Sequence, residues 1–164
     1  MENFKWNGEK TIEGIDSNIF LIGKKFHETS KLIDSYFLEP KVVNLAFSIE
    51  LYLKSLNTKY SYSKKGNSVL PILNRNLIKI PRHNKHQLNK IFKQLNESDQ
   101  INLIMLYSEK HNSDLIEDLS KLKNTFIDFR YSFEKESLII TESLLERIAS
   151  FLKEYVENKM KSSG

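Results

Sequence analysis

The chain has 164 residues, of which 40% are hydrophobic and 28% charged, with a formal net charge of +4. This composition is typical of one soluble globular domain, which we expect to span residues 1–164 with a core at about 15–157. The absence of cysteine excludes disulfides and thiolate metal sites. No apolar run approaches the roughly 18 residues that a membrane helix needs, and the N-terminus lacks a signal-peptide pattern. We therefore expect a cytoplasmic protein with no membrane association.

The first half of the chain predicts two helices. One runs from about Ser17 to Leu38 and is ended by Pro40. The next, about Val42 to Leu56, has apolar residues at steps of four and three, which puts them on one face. These residues are Val42, Ala46, Ile49, Leu53 and Leu56.

Regular periodicity then fails over residues 57–84. Tyr60–Ser68 is typical of a loop, with Gly66-Asn67 as a turn signal. Two short apolar pieces, residues 69–73 and 77–81, could form a small hairpin or lie on the bundle. A connection of this length inside a compact domain is usually functional or partly disordered.

The second half of the chain predicts further helices. A third begins near Asn84 or Lys85 and runs to about Leu95, and a fourth begins after Ser98. The fifth begins after Ser113 and has a heptad-like apolar stripe: Leu115, Leu119, Leu122, Phe126, Phe129 and Phe133. The last helix is capped by Thr141, and its core side carries Leu145, Ile148 and Leu152. The fold class is thus all-α, an up-and-down bundle of five or six helices with an irregular basic insertion between the second and third helices.

Charge is distributed unevenly along the chain. The segment from Leu51 to Asn96 has ten cations and no acidic residue, whereas the rest has 15 cations and 21 carboxylates. Concentrated positive charge attracts polyanions, so this segment is a candidate nucleic-acid-binding surface. Its candidate contacts are Lys59, Lys64, Lys65, Arg75, Lys79 and Arg82, with Tyr60 and Tyr62 available to stack on bases. The alternative is a lysine-rich solvated loop.

Five polar residues are candidates for chemistry, which would require them to converge between the second, third and fifth helices. Glu50 and Lys54 are four residues apart on the second helix, as are Arg130 and Glu134 on the fifth. Each pair alone is typical of a surface ion pair. Arg130 borders the apolar stripe, where a guanidinium needs a carboxylate or a ligand anion. His86, at the start of the third helix, could carry a proton or be an inert hydrogen-bonded residue.

The sequence gives no indication of a metal site or a cofactor. It contains neither H-E-x-x-H nor a cysteine-based metal pattern. It also lacks a glycine-rich phosphate loop and a G-x-S-x-G elbow.

Three segments together resemble the HEPN-like family. Ala46–Leu56 (AFSIELYLKSL) resembles its "A-x-E-L-x-L-K-x-L" helix, and Lys85–Leu88 (KHQL) resembles its "G-H-D-L" helix start. Phe126–Glu134 (FIDFRYSFE) resembles its "F-x-x-x-R-Y-x-x-E" helix. Lys85 stands where the family has glycine, and Gln87 stands where it has an acid. The likeness covers roughly residues 15–157.

The resemblance implies a helical bundle, dimerisation and association with RNA or nucleotides. Many members of the family are RNase toxins or defence proteins, and several pair with a nucleotidyltransferase. The catalytic members carry an R-x4-6-H motif, which this chain lacks.

Three functions remain open on the sequence alone. The first is a non-catalytic module that binds RNA, a nucleotide or a partner protein in a defence or toxin–antitoxin-type system. The second is a diverged metal-independent RNase that uses His86 and Arg130. The third is an immunity- or antitoxin-like protein, whose excess carboxylates outside the basic segment face a basic partner.

Overall fold

The computed structural model of the chain describes residues 10–34, 36–63, 72–77, 86–122 and 142–162. Most of these residues are helical, which confirms the predicted all-α bundle. The six helices of the described residues are α1 (Ser17–Leu32), α2 (Leu38–Leu56), α3 (Leu88–Phe92), α4 (Glu97–His111), α5 (Leu115–Lys121) and α6 (Glu142–Ser162). The described residues also form three strands: β1 (Lys10–Gly14), β2 (Thr58–Ser63) and β3 (Ile72–Leu77).

Helix α2 is the centre of the bundle, because α1, α3 and α6 all pack against it. The five apolar residues that the sequence pattern assigned to its core face, from Val42 to Leu56, are all buried. Leu145, Ile148 and Leu152 of α6 are fully buried as well. Burying such a side chain stabilises the fold by about 1.5–3 kcal/mol, so these two buried faces contribute much of the hydrophobic stabilisation.

Helices α1 and α6 are also joined by ion pairs along their length. Lys24 Nζ lies 3.1 Å from Glu157 Oε1, and one turn further along α1, Glu28 Oε1 lies 3.1 Å from Lys153 Nζ. The cation is thus on α1 in one pair and on α6 in the next.

The boundary between α1 and α2 differs from the prediction. Helix α1 ends at Leu32, because Ile33 has extended backbone and Asp34 starts a turn. Helix α2 begins at Leu38, so Pro40 lies in its first turn and does not interrupt the chain. A proline is tolerated there, since the first N–H groups of a helix have no partner within the helix.

Helices α3 and α4 are shifted relative to the sequence pattern. Helix α3 spans only five residues, and a turn separates it from α4. Helix α4 starts earlier than predicted, because Asn96 caps it. The Asn96 side chain accepts a hydrogen bond from the Asp99 N–H and donates one to the Asp99 carboxylate, both at 2.8 Å. Of the predicted fifth helix, α5 covers the first part; the rest, from Phe126 to Phe133, lies outside the described residues, as does Thr141.

The insertion contains regular structure, including at its start, where the sequence predicted a loop. Strands β1, β2 and β3 form an antiparallel sheet in that order, with Ile12 opposite Tyr60 and Tyr60 opposite Arg75. The loop predicted for residues 60–63 is therefore wrong. The alternating Tyr and Ser residues of β2 suit a strand, and that strand is completed by a partner that lies far earlier in the sequence.

Candidate functional site

The candidate site is a cluster of three side chains where α2 meets the start of α3. Glu50 points inward from α2 and is only 1% exposed. Its Oε1 accepts a hydrogen bond from Lys54 Nζ at 2.5 Å, and its Oε2 lies 2.8 Å from His86 Nδ1. The structure thus brings together three of the five residues predicted to converge.

One buried carboxylate therefore holds two basic side chains in place. Lys54 and His86 are each about one-third exposed, so both extend from the buried Glu50 toward the surface. A buried carboxylate is tolerated only when such partners satisfy it. The contact with Nδ1 also fixes the orientation of the imidazole ring, which is what a carboxylate does for histidine in many proton-transfer sites.

The other predicted site residues divide into two groups. Arg130 and Glu134 lie outside the described residues, as do Lys64, Lys65, Lys79 and Arg82. Lys59, Tyr60 and Tyr62 lie on β2, and Arg75 lies on β3.

Strands β2 and β3 form a hairpin that carries these four residues. Tyr60 pairs directly with Arg75 in the antiparallel register, and Tyr62 is two residues further along β2. Alternation along a strand puts positions 60, 62 and 75 on one side of the sheet, and position 59 on the other. Cationic and aromatic positions are thus neighbours on adjacent strands.

A second polar cluster, which the sequence pattern did not indicate, surrounds Asp118 of α5. This carboxylate is 2% exposed, and its Oδ2 accepts hydrogen bonds from Tyr107 Oη at 2.9 Å, Ser113 Oγ at 2.8 Å and Arg147 Nη2 at 2.8 Å. Its Oδ1 accepts one from Lys121 Nζ at 3.1 Å. Burial alone raises the pKa of Asp118, but the hydrogen bonds from Ser113, Tyr107 and Lys121 outweigh burial, and the pKa lies below its usual value.

The same cluster changes the acidity of Tyr107. Burial and the hydrogen bond to Asp118 raise the pKa of its hydroxyl to about 12. Arg147 donates to Tyr107 Oη from Nε at 3.0 Å and lies over the Tyr107 ring. The cluster ties α4, α5 and α6 together, and we interpret it as structural.

A third cluster is centred on the fully buried His27 of α1. Its Nδ1 lies 3.2 Å from Tyr52 Oη on α2, and its Nε2 lies 3.0 Å from Glu146 Oε1 on α6. Burial is the main cause that raises the pKa of Tyr52. His27 is not among the candidates that the sequence indicates, because the histidines of the chain are not separated by any recurring spacing. Its position seven residues after Phe20, two helical turns further along the same face, is the signal that could have indicated burial.

Two cavities adjoin the end of α6. The larger, of about 770 Å³, lies between α4 and α6, with Leu106 and Phe151 among its lining residues. The smaller, of about 360 Å³, is bordered by Asp99 and Lys159, which are hydrogen-bonded to each other. Neither cavity is lined by Glu50, Lys54 or His86.

Two negative findings concern only the described part of the chain. Within it, no group of three or more histidine, aspartate or glutamate side chains is arranged to hold a metal ion. None of its helices has both the length and the apolar character required to cross a membrane.

The chain matches no family model, no curated protein and no solved structure. The resemblance to HEPN-like proteins therefore stays a prediction from three sequence motifs.

Proposed function

We propose that this chain is a HEPN-like, non-catalytic binding module that associates with RNA or a nucleotide in a defence or toxin–antitoxin-type system. The observation that carries the proposal is the β2–β3 hairpin. It lies within the segment that has ten cations and no acidic residue, and its register makes Tyr60 and Arg75 direct neighbours.

Such a surface suits a single-stranded polyanion. Cations that neutralise phosphates release condensed counterions, so binding gains entropy and weakens steeply with salt. Aromatic residues next to cations add base stacking, which is worth about 1–3 kcal/mol per base and tolerates any sequence. We therefore expect association with short RNA without strong sequence preference.

The Glu50 cluster also has a role that does not require catalysis. Both Glu50 oxygens are engaged, one by Lys54 and the other by His86. A carboxylate that is buried and doubly engaged is well suited to anchoring the start of α3 against α2. The missing R-x4-6-H motif is consistent with this interpretation.

The test is a titration of fluorescein-labelled RNA, followed by anisotropy at several salt concentrations. The variant Arg75→Glu should weaken binding at low salt and reduce the slope of log K against log salt by about one, for the lost phosphate contact. The matched control is Lys25→Glu, which introduces the same charge at an exposed lysine outside the acid-free segment. Absence of binding at low salt, or equal weakening in both variants, would refute the proposal.

A diverged metal-independent RNase is the second candidate, and the contact between Glu50 and His86 favours it. In this mechanism the carboxylate orients His86, which acts as general base or acid, and Arg130 stabilises the charge that develops on the phosphate. Labelled RNA should then be cleaved by the wild type in the presence of EDTA, and His86→Ala and Glu50→Gln should both lower the rate. Cleavage that is absent, or equal in the wild type and His86→Ala, rejects this candidate.

A further inference from the structure

The connection between α1 and α2 presents an unusual group of exposed apolar side chains. Leu32 is 86% exposed, Tyr36 is 85% exposed and Phe37 is 55% exposed, and we call these three residues the turn patch. Leu32 and Tyr36 are the most exposed of the large hydrophobic residues in the described part of the chain. Single exposed apolar residues are normal, whereas contiguous exposed apolar patches mark interaction sites.

Two hydrogen bonds to Asp34 hold the backbone N–H groups of Tyr36 and Phe37. Asp34 Oδ1 accepts a hydrogen bond from the Tyr36 N–H at 2.8 Å, and the Asp34 carbonyl accepts one from the Phe37 N–H at 2.9 Å. The rings of Tyr36 and Phe37 pack edge to face, with centroids 5.2 Å apart. Aromatic side chains have only two χ angles and lose little conformational entropy when a partner covers them, which favours their use in recognition.

The charge around the turn patch is negative. Asp34 and Glu39 are exposed, and neither lies within ion-pair distance of a cation in the described residues. The lysines of the same stretch are directed to α6: Lys41 Nζ lies 2.6 Å from a carboxylate oxygen there, and Lys31 Nζ lies 3.7 Å from another. Unneutralised carboxylates disfavour RNA and anionic lipid as the occupant, because both would be repelled.

We propose that the turn patch is a docking surface for another protein, which covers Tyr36 and Phe37 with an apolar surface flanked by lysine or arginine side chains. Tyrosine and phenylalanine are enriched at the energetic centres of interfaces, and charge complementarity at the rim sets the choice of partner. This proposal goes beyond the RNA-binding function, because it involves a different element and ligands of a different class.

The test uses two labelled amphipathic helical peptides with the same leucine face, one flanked by lysines and the other by glutamates. The full chain should bind the lysine peptide, and Tyr36→Ser/Phe37→Ser should weaken that binding at least about tenfold, as expected when the central aromatic residues of an interface are lost. Asp34→Asn/Glu39→Gln should weaken it only at low salt. Leu21→Ser, which removes an equally apolar side chain that is 51% exposed on α1, is the matched control and should bind as the wild type does.

Several outcomes would overturn the proposal. These are no binding of the lysine peptide, equal binding of the glutamate peptide, or equal binding by the Tyr36→Ser/Phe37→Ser variant. If the wild type sediments as a dimer and this variant as a monomer, the occupant is a second copy of the chain and the proposed partner is wrong. Serine is favourable at position 37, which is the N-cap of α2, so the variant should stay folded. Its RNA binding should be unchanged, which separates this test from that of the proposed function.

Discussion

Replacing Asp118 by asparagine tests whether its cluster holds the second half of the bundle together. Three donors converge on Oδ2 of this carboxylate, and Lys121 approaches Oδ1. An amide of the same size offers one acceptor oxygen and one NH2 group. In either orientation of the asparagine, at least one donor therefore faces another donor, and Arg147 loses its counter-charge.

The expected cost follows from how buried the two partners are. Removing one member of a fully buried ion pair costs about 3–5 kcal/mol. Arg147 keeps 37% of its side chain exposed, so water compensates part of the loss, and we expect Asp118→Asn to lower the free energy of unfolding by about 2–3 kcal/mol. For a chain of this size, that corresponds to a fall in Tm of about 5–10 °C.

Urea unfolding followed by circular dichroism measures this change. The matched control is Glu117→Gln, which also replaces a carboxylate by an amide, one residue earlier. The Glu117 side chain is 68% exposed and pairs with Lys121 at 3.0 Å. Exposed pairs contribute about 0–1 kcal/mol, so the control should unfold close to the wild type. Equal free energies of unfolding for the two variants would refute the assignment of Asp118 as a structural centre.

The effect also has a definite pH dependence. The pKa of Asp118 in the folded chain is below its usual value, so as the pH falls the unfolded chain takes up this proton first. The carboxylate therefore stabilises the fold above its ordinary pKa of about 3.9, and this stabilisation is lost as the pH falls through the lower pKa of the folded state. The difference between wild type and Asp118→Asn should shrink below about pH 4. An equal difference at pH 7 and at low pH would contradict this explanation.

Three further substitutions can be followed by the same urea titration. Tyr52→Phe leaves the buried His27 Nδ1 without its partner, and we expect a loss of about 1–2 kcal/mol; an unchanged midpoint would show that the hydrogen bond adds nothing. Leu145→Ala empties a fully buried position and should cost about 2–5 kcal/mol, so a loss below 1 kcal/mol would contradict the assigned core. Asn96→Ala removes the cap of α4 and its bond to Asp99, which should cost about 1 kcal/mol; a free energy of unfolding equal to that of the wild type would argue against the cap.

The helices could be predicted because their signals are local. The apolar stripe from Val42 to Leu56 repeats at helical spacing, and every member is buried. The ends of the helices were harder to predict, because each depends on the hydrogen bonds of a single side chain. The turn at Asp34 ends α1 early, and the Asn96 cap starts α4 early. A pattern of hydrophobic residues does not indicate either of these hydrogen bonds.

The sheet could not be predicted because its hydrogen bonds are not local. Strand β2 has the alternation of a strand, but its residues are polar and were assigned to a loop. Its partner β1 is Lys10–Gly14, and nothing in those five residues indicates pairing with residues 58–62.

The polar clusters could be predicted only in part, because some of their contacts join segments that are distant in the sequence. Glu50 and Lys54 share a helix, and His86 carried a family resemblance, so their meeting was expected. Asp118 and Arg147 lie 29 residues apart on different helices. The available signal was that Asp118 comes three residues after the core residue Leu115, which puts a carboxylate on a buried face.

The alternating ion pairs between α1 and α6 restrict how these two helices can align. If α6 slid by one turn in one direction, Lys24 would approach Lys153 in place of Glu157. A slide in the other direction would set Glu28 beside Glu157 and Lys24 beside Lys161. Either displacement opposes like charges, so these surface residues, although each pair is weak, penalise the misaligned packings that leucine-rich helices would otherwise tolerate.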